Sequence, residues 1–203
     1  MTTLALLRPT MYSEEEYLRL ENDASEKSEF FQGKIVMMAG AAPNHNFIND
    51  NVVGLIHPFL KAKSCKSCSS DQRIHIPSNS LYTYPDIMIV CGPKKHAELD
   101  RNTITNPSVI FEILSPSTSE YDRGKKFRLY RDIESLQEYV IINSLSIEVE
   151  VWRRTVNNQW LLADDAFSLN DSITIQTIGA TLQMADLYDG TENVSGLFPA
   201  PKE

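Results

Sequence analysis

Two short apolar runs, each carrying one acid, constrain this chain more than any other feature. In "YPDIMIVCG" (84–92) Asp86 stands directly before Ile87, Met88, Ile89 and Val90. In "SVIFEILSP" (108–116) Glu112 interrupts Val109, Ile110, Phe111, Ile113 and Leu114. Runs this short, rich in β-branched residues and bounded by turn residues, read as buried strands. A carboxylate in such a strand is costly unless something pairs with it. The recurrence of one acid in each of two strands asks for a shared explanation.

The flanking segments place these strands in a mixed α/β (α+β) fold. "YSEEEYLRLEND" opens a helix at Ser13, with Glu16 completing a capping-box pattern. "EFFQGKIVMMAG" reads as a hairpin turning at Gln32-Gly33. Residues 43–63 carry apolar side chains at 48, 52, 55, 56 and 59, a helical spacing, with Pro58 expected to bend the last turn. "SCKSCSSDQ" (64–72) reads as a polar loop, followed by strands near 73–77, 84–90 and 108–114. Their tight spacing suggests an antiparallel meander. A helix over 119–133, with Ser119 as N-cap, then crosses to a strand at 137–143 that pairs in parallel with its neighbour. "SIEVEVWRRTVNNQWLLA" alternates and turns at Asn157-Asn158, and the remainder reads as further β structure with a short helical end. No repeat, low-complexity tract or domain boundary is visible, so one domain over 1–203 is expected, its core at about 43–143.

Bulk composition excludes several classes. At 42% apolar and 23% charged residues the chain is an ordinary globular sequence, with no run long enough to span a membrane and no signal-peptide pattern. Three cysteines, an odd number, argue against a disulfide framework and for a reducing cytoplasm. A net charge of −8 opposes simple coating of nucleic acid, so action on DNA would need a local basic patch or a metal.

If the strands bearing Asp86 and Glu112 are antiparallel neighbours, both carboxylates arrive at one end of the sheet. Two ionised carboxylates held together repel, and a divalent cation relieves that repulsion; oxygen ligands favour Mg²⁺, Mn²⁺ or Ca²⁺ over zinc. The alternative is that each acid pairs with an arginine or caps a turn. A helical wheel over 120–133 adds a third residue. Phe127, Leu129, Tyr130 and Ile133 define the apolar arc with Lys126 at its centre, while Lys125, Arg128, Arg131 and Asp132 lie opposite. A lysine on a buried stripe needs an anion, unless its stem snorkels or it pairs with Asp122 at i−4. Two acids and a lysine at one sheet end form the apparatus of metal-dependent phosphodiester cleavage.

With "YPD", "FEILSPST" and the order helix–three strands–helix–strand, the chain resembles the PD-(D/E)XK nuclease superfamily. Within it, "SEFFQGKIVMMAGAAPNHNFI", "NPSVIFEILSPSTSEYDRGKKFRLYRDIESLQEYVIIN" and "LYDG" resemble the Uma-type restriction endonuclease family, abundant in cyanobacteria. The resemblance implies a restriction endonuclease-like core, Mg²⁺ or Mn²⁺ as cofactor, DNA as the partner and a possible homodimer. It also implies Asp86 and Glu112 as metal ligands, with the backbone carbonyl of Ile113 as a third donor. The superfamily's acid-x-lysine motif reads Glu112-Ile113-Leu114 here, so the lysine has moved to the following helix, where Lys126 matches. Glu29, before the "G-x-[IV]" turn, and His45, early in the first core helix, match accessory positions: a further acid for the site and a proton relay or substrate contact. For Glu29 a surface charge, and for His45 a helix-end or core histidine, are the alternatives. The rival for the whole chain is a non-catalytic binding module on the nuclease fold.

Three further signals are set aside at this stage. Cys65-x-x-Cys68 lacks a second pair for zinc. The basic groups "RGKKFRLYR" and Lys94, Lys95 and Arg101 read as exposed surface, and Tyr130, Trp152 and Trp160 as core.

Overall fold

Residues 11–61, 63–115 and 119–196 are described by a computed structural model of the chain. Helix α1 (Glu14–Asp23) opens on the expected capping box: Ser13 Oγ accepts from the Glu16 amide at 3.2 Å, and the Ser13 amide donates to Glu16 Oε2 at 2.8 Å. Strands β1 (Ser28–Phe31) and β2 (Lys34–Met37) form the expected hairpin. Its two turn residues, Gln32 and Gly33, both have positive φ, 47° and 82°. At the second, the left-handed backbone favours glycine, since any Cβ there would be strained and would also push aside the tip of Met11.

Helix α2 (Pro43–Lys61) runs on through Pro58 and buries Ile48, Val52, Ile56 and Leu60, spaced about one turn apart. The chain then passes through β3 (Cys65–Ser69), β4 (Ile74–Ile76), β5 (Leu81–Thr83), β6 (Ile87–Cys91) and β7 (Val109–Leu114). Next come α3 (Ser119–Tyr121), a π-helical turn (Asp122–Lys126) and α4 (Phe127–Tyr130). Strands β8 (Glu138–Asn143), β9 (Ser146–Ile147), β10 (Val149–Arg154), β11 (Trp160–Ala166), β12 (Ser172–Ile175) and β13 (Ala180–Gln183) follow, then α5 (Met184–Leu187) and β14 (Ser195–Gly196).

A six-stranded mixed sheet forms the centre, in the order β11-β10-β8-β7-β6-β3, with β7 and β8 parallel and the other pairs antiparallel. Alternation along β6 and β7 divides the core. Ile87, Ile89, Phe111 and Ile113 pack with α2, β12, β13 and α5 on one face. Met88, Val90, Ile110 and Leu114 pack with Phe127, Tyr130, Ile133 and β4 on the other. A second sheet, ordered β2-β1-β5-β4, is covered on one side by Tyr17 and Leu18 of α1, which cluster with Phe30 and Tyr82.

Several expectations need correction. Segment 64–72 is not a loop throughout: β3 pairs residue by residue with β6, because Cys65 and Cys68 can cover the sheet while Lys66 stays exposed. The meander over 73–77, 84–90 and 108–114 is therefore wrong in its first member. Strand β4 belongs to the second sheet, and the core triple is β3, β6 and β7. The helix over 119–133 is not continuous α-helix but contains the π turn and ends at Tyr130, and Ser119 is its first residue rather than its cap. Pro116, Ser117 and Thr118 of "FEILSPST" lie outside the described residues.

The expectation of a chain without disulfides also fails. Cys65 and Cys91 are joined by a disulfide, because the β3–β6 register sets them directly opposite each other, and the odd cysteine is simply Cys68 left over. Among the described residues no helix is long and apolar enough to cross a membrane.

Candidate active site

Asp86 and Glu112 meet because of strand register. Ile87 pairs with Phe111, so one step further along the antiparallel ladder Asp86 faces Glu112. The Glu112 side chain shares the sheet face of Ile110 and Leu114 and looks toward the helical segment 119–130. Asp86 is anchored across the ladder: its Oδ2 accepts the Ile113 amide at 2.7 Å. His45, in the first turn of α2, brings Nε2 to 3.2 Å from the same oxygen.

Lys126 completes the cluster, and the π turn explains how. It is the last residue of that turn and is only 4% exposed, while Lys125, Arg128, Arg131 and Asp132 are exposed, as the wheel predicts. Its Nζ lies 3.0 Å from Glu112 Oε1, 3.4 Å from Glu29 Oε1 and 3.5 Å from Asp122 Oδ1. Thus the i−4 pairing with Asp122 and the pairing with Glu112 both occur. Glu29 reaches the cluster from β1, held by the hydroxyls of Thr83 and Tyr121, the latter at 3.3 Å. Tyr130 Oη donates to Glu112 Oε1 at 2.7 Å. All five sequence-selected side chains therefore gather at one sheet end.

Four carboxyl groups confront one ammonium here. Burial is the largest influence on Glu112 and pushes its carboxyl well above the usual range; Asp86 and Asp122 add to this, while Lys126 and the Tyr130 hydroxyl oppose it. Burial works against the Lys126 ammonium, but the surrounding acids, Glu112 first, outweigh it and hold its pKa well above that of an ordinary lysine. Burial likewise raises Tyr130 and Tyr139 well above ordinary phenols, so both stay protonated donors.

The donor set fits a hard divalent cation. Asp86 and Glu112 each commit one oxygen, Oδ2 and Oε1, to the protein contacts above. His45 Nδ1 is buried and lacks a hydrogen-bond partner among the described residues. Among the described residues no group of three His, Cys, Asp or Glu side chains is placed to hold a metal ion, so the protein would offer a cation two carboxylates and other oxygen donors would have to complete its shell. Mg²⁺, which binds through one or two carboxylates and keeps several waters, is the ion such a pair would hold.

Sequence reasoning placed Tyr130 in the core and overlooked Thr83 and Tyr121. Tyr130 carried a readable signal, its i+4 spacing from Lys126; Thr83 and Tyr121 carried none. A cavity of about 480 Å³ lies away from this cluster, lined by Glu14, His75, Tyr82, His96 and their neighbours.

Comparison with known proteins agrees with this architecture. The family model Uma2, described as a putative restriction endonuclease, matches residues 14–185. An uncharacterized protein, slr1290, of Synechocystis sp. (strain ATCC 27184 / PCC 6803 / Kazusa) is 35% identical over 181 residues, covering 88% of this chain and 92% of its own. A second uncharacterized protein of that organism, sll1609, is 38% identical over 149 residues, covering 73% of this chain and 84% of its own. Among solved structures, a putative nuclease belonging to DUF820 from Anabaena variabilis ATCC 29413 superposes with a TM-score of 0.68 at 20% identity, over 86% of this chain and 96% of that one. Family model and relatives cover nearly the whole of the described chain, and we conclude that it belongs to the Uma2 family of putative restriction endonucleases.

Proposed function

We propose that this protein is a metal-dependent endonuclease that hydrolyses phosphodiester bonds in DNA. The observation that carries this reading is the Lys126 ammonium 3.0 Å from Glu112, at the sheet end where Asp86 stands opposite that glutamate. Asp86, Glu112 and the Ile113 carbonyl would hold Mg²⁺ or Mn²⁺. When bound, that ion supplies charge neutralisation at the phosphate and a lowered water pKa. Lys126 orients the attacking water or stabilises charge on the phosphoryl oxygens. Glu29 holds the ammonium in place, and His45, fixed through Nε2 on Asp86, would use its buried, unpaired Nδ1 to exchange a proton with bound substrate. Cytoplasmic DNA would be the substrate, cut in both strands by a homodimer.

A second reading, a non-catalytic binding module, draws on the net charge of −8 and on a lysine already held by three carboxylates. Nicking of supercoiled plasmid separates the two. Endonuclease activity predicts nicking that requires Mg²⁺ or Mn²⁺ and disappears in Glu112→Ala prepared identically. Nicking that survives in Glu112→Ala is contamination and removes the proposal; so does its absence from the wild type over DNA and RNA substrates.

A further inference from the structure

Two consecutive arginines sit at the end of the central sheet away from Glu112. Glu138 opens β8 and pairs with Val109 at the start of β7, whereas Glu112 pairs with Ile141 further along. Arg153 stands opposite Glu138 in the β8–β10 ladder, and the Arg154 amide donates to the Gln137 carbonyl at 2.8 Å. Successive strand residues point to opposite faces, so the Arg153 guanidinium turns toward β12 and that of Arg154 toward the chain beyond α4. Both still line one pocket of about 330 Å³, with Gln137, Gln176 and Thr177 as its other walls. None of these five residues is an acid.

Part of each guanidinium is already fixed. Arg153 donates Nε to Glu138 Oε1 at 2.9 Å and Nη2 to the Thr174 carbonyl at 3.2 Å. Arg154 donates Nε to the Leu136 carbonyl at 2.8 Å, and Nη2 to the Arg131 and Ile133 carbonyls at 2.8 and 2.7 Å. Its guanidinium also lies over the Trp160 ring, 4.9 Å from the centroid. Nη1 of each arginine is left without a hydrogen-bond partner among the described residues.

One of the two charges has no answer. Glu138 is fully buried, and its carboxylate is met by Arg153 and by the amides of Gln176 and Thr177 at 3.0 and 2.8 Å. Arg154 bonds only to carbonyls and forms no ion pair among the described residues. Burial lowers its pKa, and Asp132 and Glu134 oppose this through charge alone, from beyond ion-pair distance. A half-buried cation without a counter-ion, beside a second arginine on a pocket wall, calls for an anion. Arginine offers a planar fork of donors that matches phosphate oxygens. A volume of about 330 Å³ is at the lower end for small-molecule pockets, enough for a phosphoryl group and a small organic remainder. The Gln137 and Gln176 amides and the Thr177 hydroxyl supply neutral groups for that remainder.

We infer that Arg153 and Arg154 form a binding pocket for a phosphoryl group, borne by a small phosphate monoester or free as inorganic phosphate. The pocket stands apart from the proposed nuclease centre and does not depend on it.

The test is titration of glycerol phosphate and of inorganic phosphate into the isotope-labelled full chain, followed by amide resonances. Chelator is present, so that no cation carries phosphate to the acid cluster. The amides of Gln137, Arg153, Arg154, Gln176 and Thr177 should shift together, while those of Asp86 and Glu112 stay. Arg154→Gln should weaken binding by about 10–100-fold, as for loss of a hydrogen-bonded charge. Because that variant also loses bonds that hold the chain, two milder ones accompany it. Gln137→Glu and Gln176→Glu, both at exposed positions, add a carboxylate and keep the anchors of both arginines. Each should weaken binding at least about tenfold, through a like charge within a few ångströms of the ligand. Asp86→Asn should bind like the wild type. Tighter binding of glycerol phosphate assigns the pocket to a phosphorylated small molecule, and tighter binding of inorganic phosphate assigns it to the free ion; both uphold a phosphoryl site. The assignment is overturned if neither probe shifts these amides, or if chloride at matched ionic strength shifts them equally. It also falls if both glutamate variants bind like the wild type, or if the shifts centre on the acid cluster.

Discussion

Lys126 is the residue on which the site turns. Its ammonium answers three buried or half-buried carboxyl groups, and removing one partner of a buried ion pair leaves the others uncompensated. Lys126→Ala should therefore lose about 3–5 kcal/mol of stability, read by urea denaturation, as well as any metal-dependent cleavage. A stability unchanged within error would mean that the acids are not charged in the folded state. Tyr130→Phe is a milder probe, because the ring still packs and only the donation to Glu112 is lost. We expect a loss of about 1–3 kcal/mol by the same measurement, as for a buried acceptor deprived of its donor. Lys126 was legible in the sequence as a charge at the centre of an apolar arc. Thr83 was not, because a threonine in a β-run is ordinary until the register sets it against Glu29.

At the scale of elements, the π turn and the loop after β6 carry the geometry. A π turn widens the helix and unsettles its ladder, and here the Tyr139 hydroxyl takes up the Asp122 carbonyl at 3.1 Å, while Arg123 ties to Glu148 at 2.9 Å and to Glu150. Tyr139→Phe should raise amide exchange over 122–126 while leaving β7 and β8 protected; uniform protection would show that the hydroxyl does not brace the turn. The 100° wheel still selected Lys126 because the turn lies just before the packed residues Phe127 and Tyr130, whose phase it keeps. What the wheel missed was the turn itself, which has no composition of its own.

The loop after β6 is fastened by Arg73, whose Nη2 bonds Asp100 at 2.8 Å and whose Nε bonds Thr103 at 2.9 Å. Burial raises the Asp100 carboxyl, but hydrogen bonds from Thr103, Arg73 and the Asn102 amide outweigh it and hold the pKa below the usual aspartate value. A carboxyl depressed on folding stabilises above its unfolded pKa, about 3.9, and the contribution fades as pH falls through the folded value. The wild type should therefore lose stability below about pH 4 more steeply than Asp100→Asn, in denaturation midpoints taken across that range. Parallel curves would contradict it.

For the whole molecule, α2, strands β6 and β7, the helix after them and the parallel strand β8 were legible in order, since each has its own periodicity and turn residues. Strand β3 was not, because a Ser-, Cys- and Lys-containing edge strand reads as polar loop until β6 gives it a partner. The disulfide was hidden for the same reason: pairing Cys65 with Cys91 requires knowing that register.

A chain of net charge −8 repels a polyanion, so DNA contact has to pass through local cations such as Lys94 and Lys95, both exposed. Neutralising both should lower the slope of log K against log salt by about 2, near one for each lost phosphate contact; an unchanged slope moves the interface elsewhere.

The central claim is that the sheet end bearing Asp86, Glu112 and Lys126 holds a divalent cation. Anomalous diffraction from crystals soaked in Mn²⁺ tests it most directly. The account predicts one peak between the Asp86 and Glu112 carboxylates, absent from Asp86→Ala crystals soaked identically. No peak there at saturating Mn²⁺, or the same peak in Asp86→Ala, would contradict it.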